Sequence, residues 1–481
     1  MQNSKLFILL KTFTKKELQR FDDFLASPYY NKHNDTLRWW KILRKYAPGF
    51  AHKNLEKTIV FAKLFPNTPF NPQWLYDLNA YLLRLAEQFL ATENYLENQP
   101  AQKRHLLSAL AIKRLDTFWD NHHVLAQQQL ASNQTDNTDY WLDHYSLSKL
   151  YQYHYDDYSR RHAMRHFKEA NTRKVFDALS ILYVMDGLMH QSYEVNNHLS
   201  HNFSFDDSFL TRIYPLAVQN LPPGNAFIAN ALHQAILLSY TNTAHYFTSL
   251  LATLHQTEFA QISPRIQRSL LTNMTNYCLK NLPTDENLYR SHLFGIYQSL
   301  IQLGLLVVNG SFLVVPFCNI VQNALQVGEN AWAKYFIDTY SQELDLSVRQ
   351  NAISFCEANI CFYDGQFSNA LVLLHQTDPK FRKSMASLKN LLIRIYYELG
   401  ETDALLSQID ALKHYLSDAG NLTPLLKAAN QSFANFVLQL LRLQENPDEA
   451  KAQRLKHSIQ QSPLIYKEWL LQKVDDITYS L

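Results

Sequence analysis

One stretch constrains the fold more than any other. From Asn351 to Asp418 the chain reads as the same unit twice: an apolar helix ends at a glycine, Gly365 or Gly400, and a second amphipathic helix follows at once. The two glycines are thirty-five residues apart, and Gly328 stands thirty-seven residues before the first. The fifth residue after each glycine is Ala333, Ala370 and Leu405, and four further on stand Ile337, Leu374 and Ile409. Four residues before each glycine stand Ala324, Cys361 and Tyr396, and seven before stand Val321, Ala358 and Ile393. Apolar residues held at these offsets give both helices of every unit a buried face. The glycine suits the left-handed residue that closes a helix and turns the chain back.

The spacing makes the rest of the chain readable as helices. Leu6, Leu9, Leu10 and Phe13 form one stripe. Thr14-Lys-Lys-Glu17 has the form of a capping box before a second stripe of Leu18, Phe21, Phe24 and Leu25. Ser27-Pro28 stops that helix, and Asn34 or Asp35 caps the next, which carries Trp39, Ile42, Leu43 and Tyr46 on one side. Trp39 and Trp40 are adjacent and point to different sides, so one of them is expected to be partly exposed. Asn71-Pro72 opens a long helix, and two more follow from Pro100. The polar run from Ser132 to Thr138 reads as a loop, and further helices are expected over 168–200, 206–220 and 226–240. Thr423-Pro424, Asn446-Pro447 and Ser462-Pro463 each read as a helix start. Ile465, Trp469 and Leu470 are expected to seal the end of a stack. The expected fold is all-α, divided into a basic helical module over 1–98, irregular helical repeats over 99–310, regular repeats over 311–445 and capping helices over 446–481.

These offsets resemble the tetratricopeptide-repeat superfamily, whose unit is a helix pair of about thirty-four residues. The likeness covers residues 311–418. It departs from the superfamily in lacking a tryptophan early in each unit, in the larger Val321 and Ile393, and in unequal repeat lengths, so the expected architecture is a TPR-like helical-hairpin solenoid. Taken with LLKTFTKKELQRFDDFLASPYYN, the stretch LLIRIYYELGETDALLSQIDALKHYL is similar to a bacterial family of helical-repeat proteins, a resemblance that implies no activity. The superfamily's inward positions lie thirteen, ten, six and three residues before each glycine. They fall here on Val315, Cys318, Gln322 and Leu325, on Ala352, Phe355, Asn359 and Phe362, and on Ser387, Asn390, Arg394 and Tyr397. The resemblance therefore implies a polar row of Gln322, Asn359, Asn390 and Arg394, flanked by Phe362 and Tyr397, that takes a protein or peptide partner. Amides and a guanidinium offer directional bonds to a backbone or a carboxylate. The plainer alternative is a row of solvated surface residues.

Motifs for chemistry are missing. The closest glycines, Gly304 and Gly310, are six apart, so neither a dinucleotide-binding nor a phosphate-binding glycine loop can be written. There is no Gly-x-Ser-x-Gly elbow and no His-Glu-x-x-His pair, so no catalytic residue, cofactor or metal is assigned, and the expected class is a non-catalytic interaction scaffold. His162 and His166, four apart near Asp156 and Asp157, lack a third ligand at a recognisable spacing. The four cysteines form neither a disulfide framework nor zinc-type pairs, and no apolar run is long enough to span a bilayer, which fits a cytoplasmic protein without membrane association. The net charge of +2 conceals thirteen Lys/Arg against five Asp/Glu in residues 1–63. With Arg160, Arg161 and Arg165 in the tyrosine-rich segment up to Lys174, this basic module supports the competing reading, a nucleic-acid-binding or regulatory protein. Against it, lysine-rich stretches are commonly solvated faces and tyrosines at helical spacing commonly pack in a core.

Overall fold

In the computed structural model, residues 4–132, 138–162, 172–201, 205–307, 310–383, 385–418, 422 and 424–479 are described. They contain twenty-four α-helices and no strand, only an isolated bridge between Phe312 and Leu344. The chain divides into two compact units, residues 1–134 with 143–175, and residues 135–142 with 176–481.

The first unit holds α1 (Lys5–Leu10), α2 (Lys15–Ala26), α3 (Asn34–Arg44), α4 (Lys57–Leu64), α5 (Pro72–Glu97), α6 (Gln99–Ile112), α7 (Asp116–Ser132) and most of α8 (Thr138–Arg161). The expected capping box forms at α2. Glu17 N–H donates to Thr14 Oγ1 at 3.2 Å and Thr14 N–H donates to Glu17 at 2.7 Å. Those bonds hold the Glu17 carboxyl below its ordinary range. Asn71 caps α5 by accepting from Gln73 N–H at 2.9 Å, with Pro72 in the first turn, where its missing N–H costs nothing.

The core of α1 to α5 is aromatic. Phe21 meets Trp40 edge-on at 4.9 Å and Phe89 at 5.2 Å, and α5 supplies Leu82, Leu85 and Phe89 along one side. Both tryptophans are buried, contrary to the expectation for one of them. Helix α3 packs on α5 on one side, where Trp39 Nε1 donates to Asn79 at 3.0 Å, and Trp40 Nε1 donates to Asp22 of α2 at 2.6 Å on the other. A wedged helix buries two adjacent side chains because both of its sides are covered.

The second unit continues through α9 (Thr172–His201), α10 (Tyr214–Ala217), α11 (Pro223–Thr241), α12 (Ala244–Leu254), α13 (Pro264–Asn281), α14 (Glu286–Gln302), α15 (Val314–Gln326) and α16 (Asn330–Tyr340). After these come α17 (Leu346–Tyr363), α18 (Phe367–His375), α19 (Pro379–Lys383), α20 (Ala386–Leu399), α21 (Thr402–Asp418), α22 (Pro424–Glu445), α23 (Glu449–Gln461) and α24 (Lys467–Tyr479). The helix expected over 206–220 is broken. A wide π-turn runs over Phe209–Ile213 before α10, and Pro215 supplies no N–H to continue an α ladder through it. The 132–138 loop lies for the most part outside the described residues, as does Thr423.

Helices pack in consecutive pairs, α15 with α16, α17 with α18 and α20 with α21, and α15 packs on α17 in turn. The pairs are joined by one repeated device. At Gly365 (φ 73°), Gln366 N–H donates to Cys361 C=O at 2.7 Å while Gly365 N–H donates to Phe362 C=O at 3.1 Å. At Gly400 (φ 73°) the bonds run from Glu401 to Tyr396 at 3.0 Å and from Gly400 to Tyr397 at 3.1 Å. This doubled closure satisfies helix-end carbonyls and needs a left-handed residue, which glycine supplies without a Cβ penalty. Gly304 and Gly328 carry the same pair of bonds. The offsets counted from the glycines point inward, with Ala333, Ala370, Leu405, Leu374 and Ile409 all buried.

The C-terminal end departs from the sequence reading. Helix α24 begins at Lys467, not at Pro463, and buried Leu464, Ile465 and Tyr466 form the approach to it. Tyr466 takes a left-handed conformation, φ 57°, that a helix cannot contain. The segment does more than cap the last helices. Leu464 N–H donates to Pro283 C=O at 3.2 Å, Lys467 N–H to Glu286 at 3.1 Å, and Asn287 to Glu468 at 2.6 Å.

Candidate functional site

The row implied by the resemblance is brought together in the second unit, but underneath this C-terminal segment. Asn359, Asn390 and Arg394 are 1%, 1% and 2% exposed, so they are not solvated surface residues. Gln322 is half-buried and donates to Asn359 Oδ1 at 3.3 Å. Asn390 donates to Asn430 Oδ1 at 2.8 Å. Asn359 and Asn430 in turn donate to the carbonyls four residues earlier, Phe355 and Leu426, at 2.8 and 2.7 Å. Asn359 and Asn430 thus each use their own helix for one bond and a neighbouring helix for another. This lets a polar side chain sit in the interior without a large desolvation cost.

Two cavities open along the row. The first, of about 330 Å³, is lined by Glu286, Arg290, Phe362, Arg394, Glu398, Tyr466, Trp469 and Lys473 among others. The second, of about 240 Å³, is lined by Gln322, Asn323, Asn390, Asn430, Ile465 and Tyr466 among others. Arg290, Gln326 and Tyr466 line both.

Around the first cavity Glu286 and Glu398 are paired with cations, whereas Arg394 and Glu468 have no ion-pair partner among the described residues. Glu286 takes Arg290 at 3.0 Å, both carried one helical turn apart on α14. Glu398 takes Lys473 at 2.9 Å and also accepts from Trp469 Nε1 at 2.8 Å. Burial works against the Lys473 ammonium, but its bonds to Glu398 and Asp476 outweigh it and hold the group above its ordinary value. Arg394 has no acceptor among the described residues, and its Nε is buried without a hydrogen bond. Its guanidinium carbon lies 4.5 Å from the centre of the Phe362 ring and 4.1 Å from that of Tyr466. Rings attract the cation but offer no oxygen to its five N–H groups.

The other unsatisfied buried atoms of this region are amide oxygens: Asn323 Oδ1, Gln326 Oε1 and Asn390 Oδ1. Asn323, Gln326 and Asn390 line the second cavity, and Gln326 and Arg394 line the first. Tyr397, half-buried, stacks edge-on to Trp469 at 5.3 Å, and burial pushes its hydroxyl to about 12.

Sequence reasoning missed Arg290 and Tyr466, which reach the site from α14 and from the approach to α24. A signal for the latter stood in the sequence as three consecutive apolar residues after Pro463 with no helical spacing. Arg394 carried a signal too, as a cation inside the apolar run Leu391–Tyr397.

The candidates of the first unit are dispersed. Arg161 is engaged by Asp116 at 3.1 and 2.8 Å and by Asp157 at 2.8 Å. That hydrogen-bonded guanidinium holds the Asp116 carboxyl below its usual range. Arg160 is exposed, and Arg165 and His166 lie outside the described residues. Tyr151 belongs to an aromatic column, stacked on His123 at 4.9 Å, with His123 on Trp119 at 4.7 Å and Trp119 on His154 at 4.0 Å. Among the described residues no group of three or more His, Cys, Asp or Glu is placed to hold a metal ion, and no helix is long and apolar enough to cross a membrane. Comparison with protein-family models, with curated proteins and with solved structures gives no match.

Proposed function

We propose that the second unit is a TPR-like helical-repeat module that binds a segment of a partner protein along the row of Gln322, Asn359, Asn390 and Arg394, without catalysis. The observation that carries this reading is the lining of the two adjoining cavities. It leaves Asn323, Gln326, Asn390 and Arg394 each with an unsatisfied buried polar atom. Buried polar atoms without partners are rare in folded proteins, and four of them on residues that line these two cavities fit a surface completed by a ligand's own polar groups. An extended peptide carries the complementary N–H and C=O groups at regular spacing. The test is retention of a randomised, fluorescein-labelled hexapeptide pool on the immobilised full chain. The wild type is expected to hold part of the pool, and Gln326→Leu to hold less while melting no earlier. A wild-type chain that retains none of it refutes the reading.

A second reading rests on the first unit. Exposed Lys15, Lys16, Lys32, Lys41 and Lys45 have no acidic partner among the described residues, whereas Arg20, Arg38 and Arg44 are paired with Glu93, Asp35 and Asp22. Unpaired surface lysines are suited to phosphate contacts. Binding to a labelled DNA duplex that is present at about 50 mM salt and gone at about 200 mM supports it, and no binding at the lower salt removes it.

A further inference from the structure

We propose that the first unit binds single-stranded nucleic acid over α3, α4 and the start of α5, with bases stacking on Phe70 and Trp74 and phosphates meeting Lys41, Lys45 and Lys63. The proposal rests on the nucleic-acid reading of the first unit and specifies the form of the polymer and the residues that read it.

Charge fixes the class of partner. Residues 33–84 carry eight Lys/Arg against three Asp/Glu, a balance of +5, whereas the whole chain carries +2 and everything outside this segment therefore −3. Part of the excess lies on one open side of a helix. Helix α3 is covered by α5 at Trp39 and by α2 at Trp40, and its third side carries Arg38 and Lys41 and continues into Lys45 at its C-cap, all three exposed. Residues three and seven apart share a helical face. Asp35 pairs with Arg38 at 3.0 Å, but Lys41 and Lys45 have no acidic partner among the described residues. Unpaired cations in a row suit a polyanion.

The exposed rings fix the form of that polyanion. Among the described residues of 33–84 the exposed large apolar side chains are Phe70, Trp74 and Tyr76, at 46%, 44% and 55%, all aromatic and none aliphatic. Rings beside lysines suit an unpaired strand, because every base has a planar face to stack and every nucleotide a phosphate to neutralise. In a duplex the bases stack on one another and their faces are out of reach, so the rings favour the single strand.

The two features adjoin. Arg38 Nη2 donates to Leu64 C=O at 2.8 Å, which joins the cationic side of α3 to the C-terminal end of α4. On either side of Leu64 stand Lys63, exposed and without an acidic partner among the described residues, and Phe65, whose ring meets Trp74 edge-on at 5.2 Å. Phe61, buried on the same helix, backs both exposed rings, 5.3 Å from Phe70 and 6.1 Å from Trp74. The stacking rings are thus supported from behind. Besides Asp35, the carboxylates of the segment are Glu56 and Asp77, too few to cancel the lysines.

The test uses the full chain and three fluorescein-labelled probes of about 12 nucleotides, oligo(dT), oligo(U) and a mixed-sequence DNA duplex, at about 50 mM salt. The single strands are expected to bind about tenfold tighter than the duplex. Trp74→Ala is expected to weaken single-strand binding about tenfold and to leave duplex binding unchanged, with Trp74→Phe close to wild type because it keeps a ring. Lys41→Ala combined with Lys45→Ala is expected to weaken every probe and to flatten the salt dependence by roughly one to two phosphate contacts. Each variant's melting curve serves as a folding check. A Trp74→Ala chain that holds the single strands as tightly as wild type overturns the stacking assignment, and a duplex held as tightly as the single strands overturns the choice of polymer form. Both results leave nucleic-acid binding by the first unit in place. Binding of no probe removes that reading itself and leaves the rings to a protein partner. Binding of either single strand in the expected pattern supports the proposal, and the tighter of oligo(dT) and oligo(U) identifies the sugar.

Discussion

The guanidinium carbon of Arg394 lies 4.1 Å from the centre of the Tyr466 ring, and Tyr466 holds that position from a left-handed backbone, φ 57°. A bulky residue there costs about 1–3 kcal/mol and persists only where its surroundings enforce it. Here Leu464 on Pro283 and Lys467 on Glu286 fix the chain on both sides of the tyrosine. The ring is thus placed against a cation that has no counter-ion among the described residues.

That arrangement costs stability. Desolvating an unpaired guanidinium costs several kcal/mol, whereas a desolvated cation–π contact returns about 2. The desolvation wins, so Arg394→Met is expected to stabilise the chain by roughly 1–3 kcal/mol. Arg394→Glu, which buries an anion near Glu286 and Glu398, is expected to destabilise it by more than about 3 kcal/mol. Denaturant melts of the two variants decide the point, and a methionine variant clearly weaker than wild type sinks it.

Gly400 has φ 73°, and a Cβ added there meets nothing within 4 Å. Gly400→Ala therefore suffers only the backbone penalty of about 1–2 kcal/mol. Gly365→Ala is expected to match it, because its φ and surroundings are the same. Equilibrium unfolding of the two variants checks this, and a loss above about 3 kcal/mol in either shows that packing, not conformation, selects the residue.

In the first unit Asp22 serves two donors, Trp40 Nε1 at 2.6 Å and Arg44 Nε at 3.1 Å. Asp22→Ala leaves the indole N–H, on a side chain 1% exposed, without a partner. The expected loss is about 2–3 kcal/mol, and Asp22→Asn is expected to recover part of it. Tryptophan fluorescence during denaturation reads both, and equal stability of the two variants counts against the hydrogen bond as the cause.

His123 is 5% exposed in the aromatic column, and burial, helped by the nearby His154, pushes its imidazole down from 6.5 to about 4. Above about pH 6.5 the ring is neutral in both folded and unfolded chains, and its contribution is complete. Between about pH 6.5 and 4 the unfolded chain takes a proton that the folded one refuses, so stability falls as pH falls, by roughly 3 kcal/mol at most. His123→Phe keeps a ring between Trp119 and Tyr151 and is expected to flatten part of that loss. An unchanged pH profile in the variant assigns the acid sensitivity elsewhere.

Local signals carried the sequence reading where the physics is local. Caps, prolines and the glycine at each helix end act within a few residues, so α2, α5 and the closures at Gly365 and Gly400 were legible. Two adjacent tryptophans could not be placed by helical phase alone, since phase assigns faces but does not say how many faces are covered. The helix start expected at Ser462-Pro463 gave way to Lys467, because bonds to Pro283 and Glu286 hold the preceding residues out of a helix.

What the sequence determined by itself was the helical class and the glycine-closed helix ends, which follow from periodicity and caps along one chain, while the row that includes Asn390 and Arg394 was implied by the resemblance to a repeat superfamily. Only the tertiary structure decided that this row is interior. Burial depends on what returns to cover a face, and the cover comes from Leu464–Tyr466, whose partners at Pro283 and Glu286 lie some 180 residues earlier. No local spacing encodes that meeting, and it is what leaves Arg394 buried, ringed by Phe362 and Tyr466, and without an anion among the described residues.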